Sequence, residues 1–479
     1  MRYFVTGGTV VTGDGRTVLE EAAVVVEGTL IADVLPGSPA DNPTAPDPSG
    51  GATGPSGSAS TACAGEVIDA RGCYVVPGLI NHHAHGCALG PLFASGAEPL
   101  SGEEVRQNLL RHLEAGTTTI LNVDGFALPE EVEAARRYHP LNLKTASSHT
   151  PLNLKAAALA DGKGLSPRHR KMTAEKMVEA GAVCLGEIGG GHTLGGGGQE
   201  YLYIPRAIRA RTGRYVSPAG ARALKTAVLG RYIDPRAYSE EAVRAVLAEL
   251  GLAGLLSPEE ARRLVEDAVL PSFRVALDGM REAAEVAARL GVPVILHTAA
   301  PSKAVLLELS RKAPRLTAGD RSAGECRFIA AHCNHDSLLV DEAVDLAVRL
   351  RAAGILVDVA TFDALGARYT TPGPEVLLEL VARGAADLVS TDYAGGLFDP
   401  QVVALAEVVR RGLRPLPEAV AMVTGRVADA IPCLAPGRGY LARGRVADLV
   451  LLRQDDLTQV ELVMVEGRVV THRAPDVRV

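Results

Sequence analysis

No apolar run in this 479-residue chain approaches the roughly 20 residues that a membrane-spanning helix requires. The N-terminus, Met1-Arg2-Tyr3-Phe4-Val5-Thr6-Gly7, lacks the basic and then apolar layout of a signal peptide. An excess of positive charge is missing too. The chain has 49 Lys and Arg against 56 Asp and Glu, a net charge of -7, which argues against a nucleic-acid or anionic-membrane surface. Seven cysteines (Cys63, Cys73, Cys87, Cys184, Cys326, Cys333 and Cys433) show no Cys-x-x-Cys spacing. That argues against a disulfide framework or a thiolate zinc site and fits free thiols in the cytoplasm. The glycine runs 189-191 and 195-198 have no following Gly-Lys-Ser/Thr, so a phosphate loop is not expected. No internal repeat is evident. What remains is a globular chain, 47% apolar and 22% charged, long enough for one large domain and a smaller one.

Both chain ends read as short strands and hairpins. Residues 8-15 and 23-28 alternate apolar positions with Gly turns, and so do 444-452 and 463-470. Two all-β segments at opposite ends are expected to pair into one small β-sandwich domain, from residues 1-74 and 431-479. Residues 38-64, rich in Pro, Gly, Ser, Thr and Ala, cannot bury a core and are expected to form a flexible surface loop. The stretch 75-430 alternates strand-like and helix-like segments. Strands are expected at Val75–Ile80, Thr117–Val123, Asn142–Ser147, Ala182–Glu187, Val292–His297, Arg327–His332, Gly354–Val359 and Ala386–Thr391. Eight is the number that closes an α/β fold into a (β/α)8 TIM-like barrel. Ser101-Gly102-Glu103-Glu104 is a capping box, and Ser257-Pro258-Glu259-Glu260 supplies an N-cap, a first-turn Pro and acids at the positive helix end. One connection is too long. Residues 192-269 read as a helical insert over the C-terminal face, a lid or an oligomer contact. Its Arg206, Arg209, Arg211 and Arg214 read first as a solvated helix face.

Six residues close these strands: His83 and His85, Glu187, His297, His332 and Asp392. In a parallel barrel the C-terminal strand ends converge, so residues far apart in sequence meet. His83 and His85 share one face of their strand and His82 the other. A single His closing a strand is more often a hydrogen-bonded core residue. Several of them, with a His-x-His upstream, shift the balance. Glu187, flanked by apolar residues and glycines, is costly to bury without a partner, and its two oxygens can bridge two cations. Asp392 can ligate a metal and move a proton from bound water, whose pKa falls to roughly 7 on a metal. Four imidazoles and two carboxylates suit a pair of divalent metals, zinc first, with iron, manganese or cobalt also possible.

Together these residues resemble the amidohydrolase superfamily over nearly the whole chain. The resemblance rests on the split β-domain, the opening Pro77-Gly78-Leu79-Ile80-Asn81-x-His83-x-His85 and the later His, His and Asp strand ends. It also rests on the tail Gly439-Tyr440-Leu441-Ala442-Arg443-Gly444-Arg445-Val446-Ala447-Asp448-Leu449-Val450. It implies a metal-bearing barrel that hydrolyses C–N, ester or related bonds, and a homodimer or tetramer. His83, His85 and Asp392 would hold one metal, and His297 and His332 the other. Two positions depart from the common pattern. Asn81 stands where an Asp is usual, and Glu187 lies in the region where many members carry a carboxylated Lys. A Glu there is most similar to enamidase-type members, which open a cyclic enamide; adenine deaminase and N-acetylglucosamine-6-phosphate deacetylase share it. Ala300, three residues after His297, replaces the Glu of cytosine-deaminase-like members. The expectation is hydrolysis of a small-molecule amide, cyclic in the first instance, by metal-activated water. Asp392 moves the proton, and His149, Asn81 and His335 are candidate substrate contacts. The alternatives are a heterocycle deaminase and a non-catalytic scaffold; the presence of all six ligands weakens the scaffold.

Overall fold

In the computed structural model, which describes residues 1–37, 65–316, 327–361, 365, 374–392 and 399–472, the two chain ends meet in one sheet. The N-terminal part supplies β1 (Arg2–Val11), β2 (Val18–Glu27), β3 (Leu30–Leu35), β4 (Glu66–Asp69) and β5 (Cys73–Pro77). The barrel strands follow: β6 (Leu79–Ala84), β7 (Thr117–Asn122), β8 (Asn142–Ser147), β9 (Cys184–Ile188), β10 (Val294–His297), β11 (Phe328–Ala331), β12 (Leu356–Ala360) and β13 (Leu388–Ser390). The C-terminal part adds β14 (Leu449–Arg453), β15 (Val460–Val465) and β16 (Arg468–His472). The end sheet runs β16-β15-β14-β5-β1-β2-β3, with β4 on β1. Its seam is the antiparallel pair β14–β5, where Leu449 faces Pro77 and Leu451 faces Val75. Val5, Val10, Val24, Val75, Leu449 and Met464 are buried together on this sheet. The loop expected over 38-64 lies outside the described residues.

Strands β6 to β13 are paired in sequence order, each parallel to its neighbour. The ring closes where Asp392 N donates to His83 O at 3.0 Å. Gln401 Nε2 adds hydrogen bonds to Ile80 O at 3.2 Å and Val389 O at 2.7 Å. Inside the ring, Ile80, Leu121, Ile295 and Ile329 form a packed core, and Val427, Ile431 and Leu434 join it. The barrel is therefore filled below and open only at the strand ends, as small barrels are. Among the described residues no helix is long and apolar enough to cross a membrane.

The helix starts follow their local chemistry. Ser101 accepts from Glu104 N while Glu104 caps Ser101 N, and Ser257 does the same with Glu260. Two expectations need correction. The strand expected at Val75–Ile80 is split at Gly78: Val75 and Val76 belong to β5 of the end sheet, and the barrel begins at Leu79. A Cβ at Gly78 would collide with the Thr118 side chain, so this tight crossing takes glycine. The insert does not end at 269. Its last helix runs unbroken from Pro258 to Leu290, through Pro271, and is also the helix that precedes β10. Apolar burial along that helix, from Ala261 and Val265 to Ala284 and Ala287, offsets the backbone hydrogen bond that Pro271 cannot make.

Candidate metal centre

The six strand-end residues come together. β6 carries His83 and ends one residue before His85, β9 carries Glu187, β10 ends on His297, and His332 and Asp392 lie just beyond β11 and β13. Glu187 Oε1 lies 2.7 Å from His297 Nδ1 and 2.8 Å from His332 Nε2. Its other oxygen, Oε2, lies 3.6 Å from His85 Nε2 and 3.8 Å from His83 Nε2. Asp392 Oδ1 is 3.4 Å from both His83 Nε2 and His85 Nε2. One carboxylate thus straddles two imidazole pairs, and a second closes one of them. Three triads, His83/His85/Glu187, His83/His332/Asp392 and Glu187/His297/His332, each have ligand atoms within 4.8 Å of one another.

Burial sets the electrostatics. The imidazoles and Glu187 expose at most 5% of their side chains, whereas Asp392 exposes 23% and is the member that the cavity reaches most easily. Burial alone would raise the Glu187 carboxyl. The charge of His297 and hydrogen bonds from His297 and His332, with the His83 imidazole close by, outweigh it and hold the group well below the usual range. Asp392 is likewise pushed up by burial but held at about 2 by His332, His85 and His83. His332, disfavoured as a cation by burial, is raised to about 9 by Asp392 and Glu187. Both nitrogens of His83, Nε2 of His297 and Nδ1 of His332 have no hydrogen-bond partner among the described residues. Orphaned imidazole nitrogens around an ionised buried carboxylate are what divalent cations satisfy, so the residues fit a metal site.

A supporting layer escaped the sequence reading. Asp124, just past β7, accepts from His85 Nδ1 at 2.9 Å and from the backbone of Gly86 and Phe93, both at 3.0 Å. It fixes the His85 tautomer and leaves Nε2 free for a metal. Asp358, within β12, receives His332 N and Ser390 Oγ, both at 2.9 Å, and lies 3.2 Å from His82 Nε2. It pins the backbone of His332, which adopts a left-handed φ of 36°. The signal was present: an acid inside the apolar run Leu356–Ala360 needs a partner.

Above the centre lies a cavity of about 730 Å³, with His85, Glu187, His297, His332 and Asp392 at its floor. His335 lines it. His149 and Asn81 do not, which corrects their reading as substrate contacts. Asn81 is buried beneath the site, donating to Thr391 Oγ1 at 2.7 Å and accepting from His83 N and Thr391 N at 3.3 Å. It ties the first strand to the last without charge. His149 packs edge-on to Phe126 and bonds Ser147 Oγ at 3.1 Å, and burial lowers its pKa to about 3.

The insert forms the opposite wall. Gly190, Gly191, His192, Gly197 and Gly198 face the cavity, with Tyr201 and Leu202 of the single π-turn Gln199–Tyr203 and with Arg222. Arg222 Nε donates to Glu200 Oε2 at 2.7 Å, Lys225 Nζ lies 2.5 Å from Glu200 Oε1, and Arg222 also pairs with Asp336 from the loop after β11. Sequence reasoning missed this chain of charges, because Glu200, Arg222 and Lys225 carry no motif. Arg206, Arg209, Arg211 and Arg214 are exposed; Arg211 pairs with Glu260 at 2.6 Å.

Two family models match the sequence, both described as amidohydrolase family, over residues 66–191 and 211–470. A search of curated proteins found no match. Among solved structures, β-aspartyl dipeptidase from Fervidobacterium islandicum AW-1 superposes with a TM-score of 0.51 at 13% identity, covering 98% of this chain and 96% of that one. A D-aminoacylase, studied for its binuclear metal centre, gives 0.50 at 14% identity over 98% and 96%. A Xaa-Pro dipeptidase gives 0.50 at 14% identity over 98% and 99%. At these identities the likeness is one of fold.

Proposed function

The chain belongs to the amidohydrolase family, and from that premise we propose that it is a metal-dependent hydrolase of a small amide, in the first instance a cyclic one. The observation that carries the reading is the position of Glu187, one oxygen on the His297/His332 pair and the other toward His83/His85. We assign His83, His85 and Asp392 to one divalent cation, His297 and His332 to a second, and Glu187 to both. When bound, the cations supply Lewis acidity and lower the pKa of water from about 16 to roughly 7.

The chain's own residues do the rest. Asp392, ionised and the most accessible of the six, takes the proton of the attacking water at its carboxylate and delivers it to the departing nitrogen. Asp124 holds the His85 imidazole through Nδ1, and Asp358 pins the backbone that carries His332. The filled barrel below keeps the imidazoles and Glu187 largely out of water, which strengthens their interactions. The preference for a ring amide rests on the Gly186-Glu187-Ile188-Gly189 context.

The test is elemental analysis of the purified protein, followed by a screen of lactams, hydantoins and cyclic imides beside linear N-acyl amides and aminated heterocycles. Ring opening dependent on zinc, manganese, iron or cobalt is the expected result. Turnover of linear amides alone removes the cyclic preference. Release of ammonia from the heterocycles, with every amide left intact, supports a deaminase instead.

A further inference from the structure

We propose that His335 is a catalytic hydrogen-bond donor, a neutral imidazole whose Nε2–H points at the carbonyl oxygen of the bound amide, and that the insert keeps it in that form. The inference rests on the amide reading above. Its structural basis is the set of partners around the other ring nitrogen. Ser337 N donates to His335 Nδ1 at 3.1 Å, and a backbone N–H can only donate. Ser337 Oγ lies 2.8 Å from the same nitrogen and accepts from Ala300 N at 2.9 Å; with Nδ1 already accepting from Ser337 N, the hydroxyl is left to donate to it. Two donors on Nδ1 make it a lone-pair acceptor and leave the ring proton on Nε2.

His335 lines the cavity beside the metal-site residues. It lies over Gly196, whose φ is +117°, and a Cβ there would sit 2.7 Å from Nε2. The ring centroid is 5.4 Å from that of His297 and 5.8 Å from that of His332, the two imidazoles on Glu187 Oε1. A carbonyl held over that pair comes within reach of Nε2–H, where a fixed donor offsets the charge that develops on oxygen.

One group opposes this arrangement. Asp336 Oδ1 lies 3.1 Å from Nδ1 and, as a free carboxylate, would draw the proton to the wrong nitrogen. Arg222 of the insert pairs with Asp336 Oδ2 and weakens that pull, and Glu200 and Lys225 hold Arg222 in place. Arg222 is thus a positioning residue for His335.

The experiment uses the zinc-loaded full chain with ring-13C histidine. The Cδ2 shift of His335, assigned by its loss in His335→Gln, reads the tautomer directly. An Nε2–H ring is expected in the wild type; an Nδ1–H or doubly protonated ring overturns the proposal. Arg222→Met is expected to move the signal toward Nδ1–H, and an unmoved signal overturns the role of the insert. On the best amide of the screen, His335→Ala is expected to lower kcat about 100-fold with KM and zinc content little changed. Wild-type kcat in that variant overturns the catalytic role. If the wild type opens no amide, the amide reading falls, while the ring tautomer still decides whether His335 is the donor described.

Discussion

The cavity has two walls, and they are built on opposite principles. Its floor is made of strand ends. Each of His83, His85, Glu187 and His297 is placed by a backbone position in a closed ring, and Asp124, Asp358 and Asn81 lock the short side chains from behind. The facing wall is made by the insert, where Glu200, Arg222 and Lys225 reach across helices to one another and to Asp336 of the loop after β11. The floor holds its geometry by register; the wall holds it by charge. This suggests a division in which the reaction is fixed by the barrel and selectivity can change in the insert.

The comparison can be broken in four places, from the largest effect to the smallest. Asp392→Asn should cost about a thousand-fold in kcat while most of the bound metal remains. Retained turnover, with metal content measured in parallel, would remove the proton-moving role. In the wall, Lys225→Met leaves Glu200 with one cation fewer in a buried position, and should destabilise the protein by about 3 kcal/mol in denaturant titration. A loss under 1 kcal/mol would mean that charge does not hold the insert. In the layer behind the floor, Asp124→Asn should weaken metal affinity by about 10–100-fold in competition with a chelator, with the fold unchanged. Unaltered affinity would show that register alone suffices.

The smallest effect lies where insert and barrel dock. Arg231 Nη1 donates to Glu342 Oε2 at 2.7 Å at the start of the helix Val340–Ala352, and Tyr232 joins them. Burial would raise Glu342, but Arg231, Tyr232 and the Leu339 backbone bring it from 4.5 to about 2. A folded pKa below the unfolded one gives stability that is present above pH 4.5 and lost as pH falls toward 2. Glu342→Gln should therefore cost about 1 kcal/mol at neutral pH, and the difference from wild type should vanish in that acid window. Hydrogen exchange confined to the insert measures it; a pH-independent difference would point to lost capping instead.

The floor was legible in the sequence for a physical reason. A His, Glu or Asp that ends an apolar run stands out, and a parallel barrel gathers such endings at one place. The supporting acids were harder to see. Asp124 carries no mark in the sequence, and Asp358, an acid inside an apolar run, does not name its partner until the fold brings it to the His332 backbone, as it brings Asp124 to His85. The boundary at Gly78 was hidden because Val75, Val76, Leu79 and Ile80 form one apolar run, and periodicity does not say which of two sheets each residue enters. The wall was not legible at all. Nothing in the spacing of Glu200, Arg222 and Lys225 marks them as partners, and the helix Pro258–Leu290 continues past the end expected for the insert at 269.

The seam between β5 and β14 has a consequence for synthesis. A ribosome releases β5 long before it makes β14, so the apolar row Val75–Pro77 waits with an open hydrogen-bonding edge while the entire barrel emerges. Until the last strands arrive, that edge is a template for pairing with other nascent chains. Newly made protein is thus most vulnerable to aggregation late in translation. Premature stops that spare every metal-bearing residue but remove β14 to β16 should yield insoluble chains rather than sluggish enzymes.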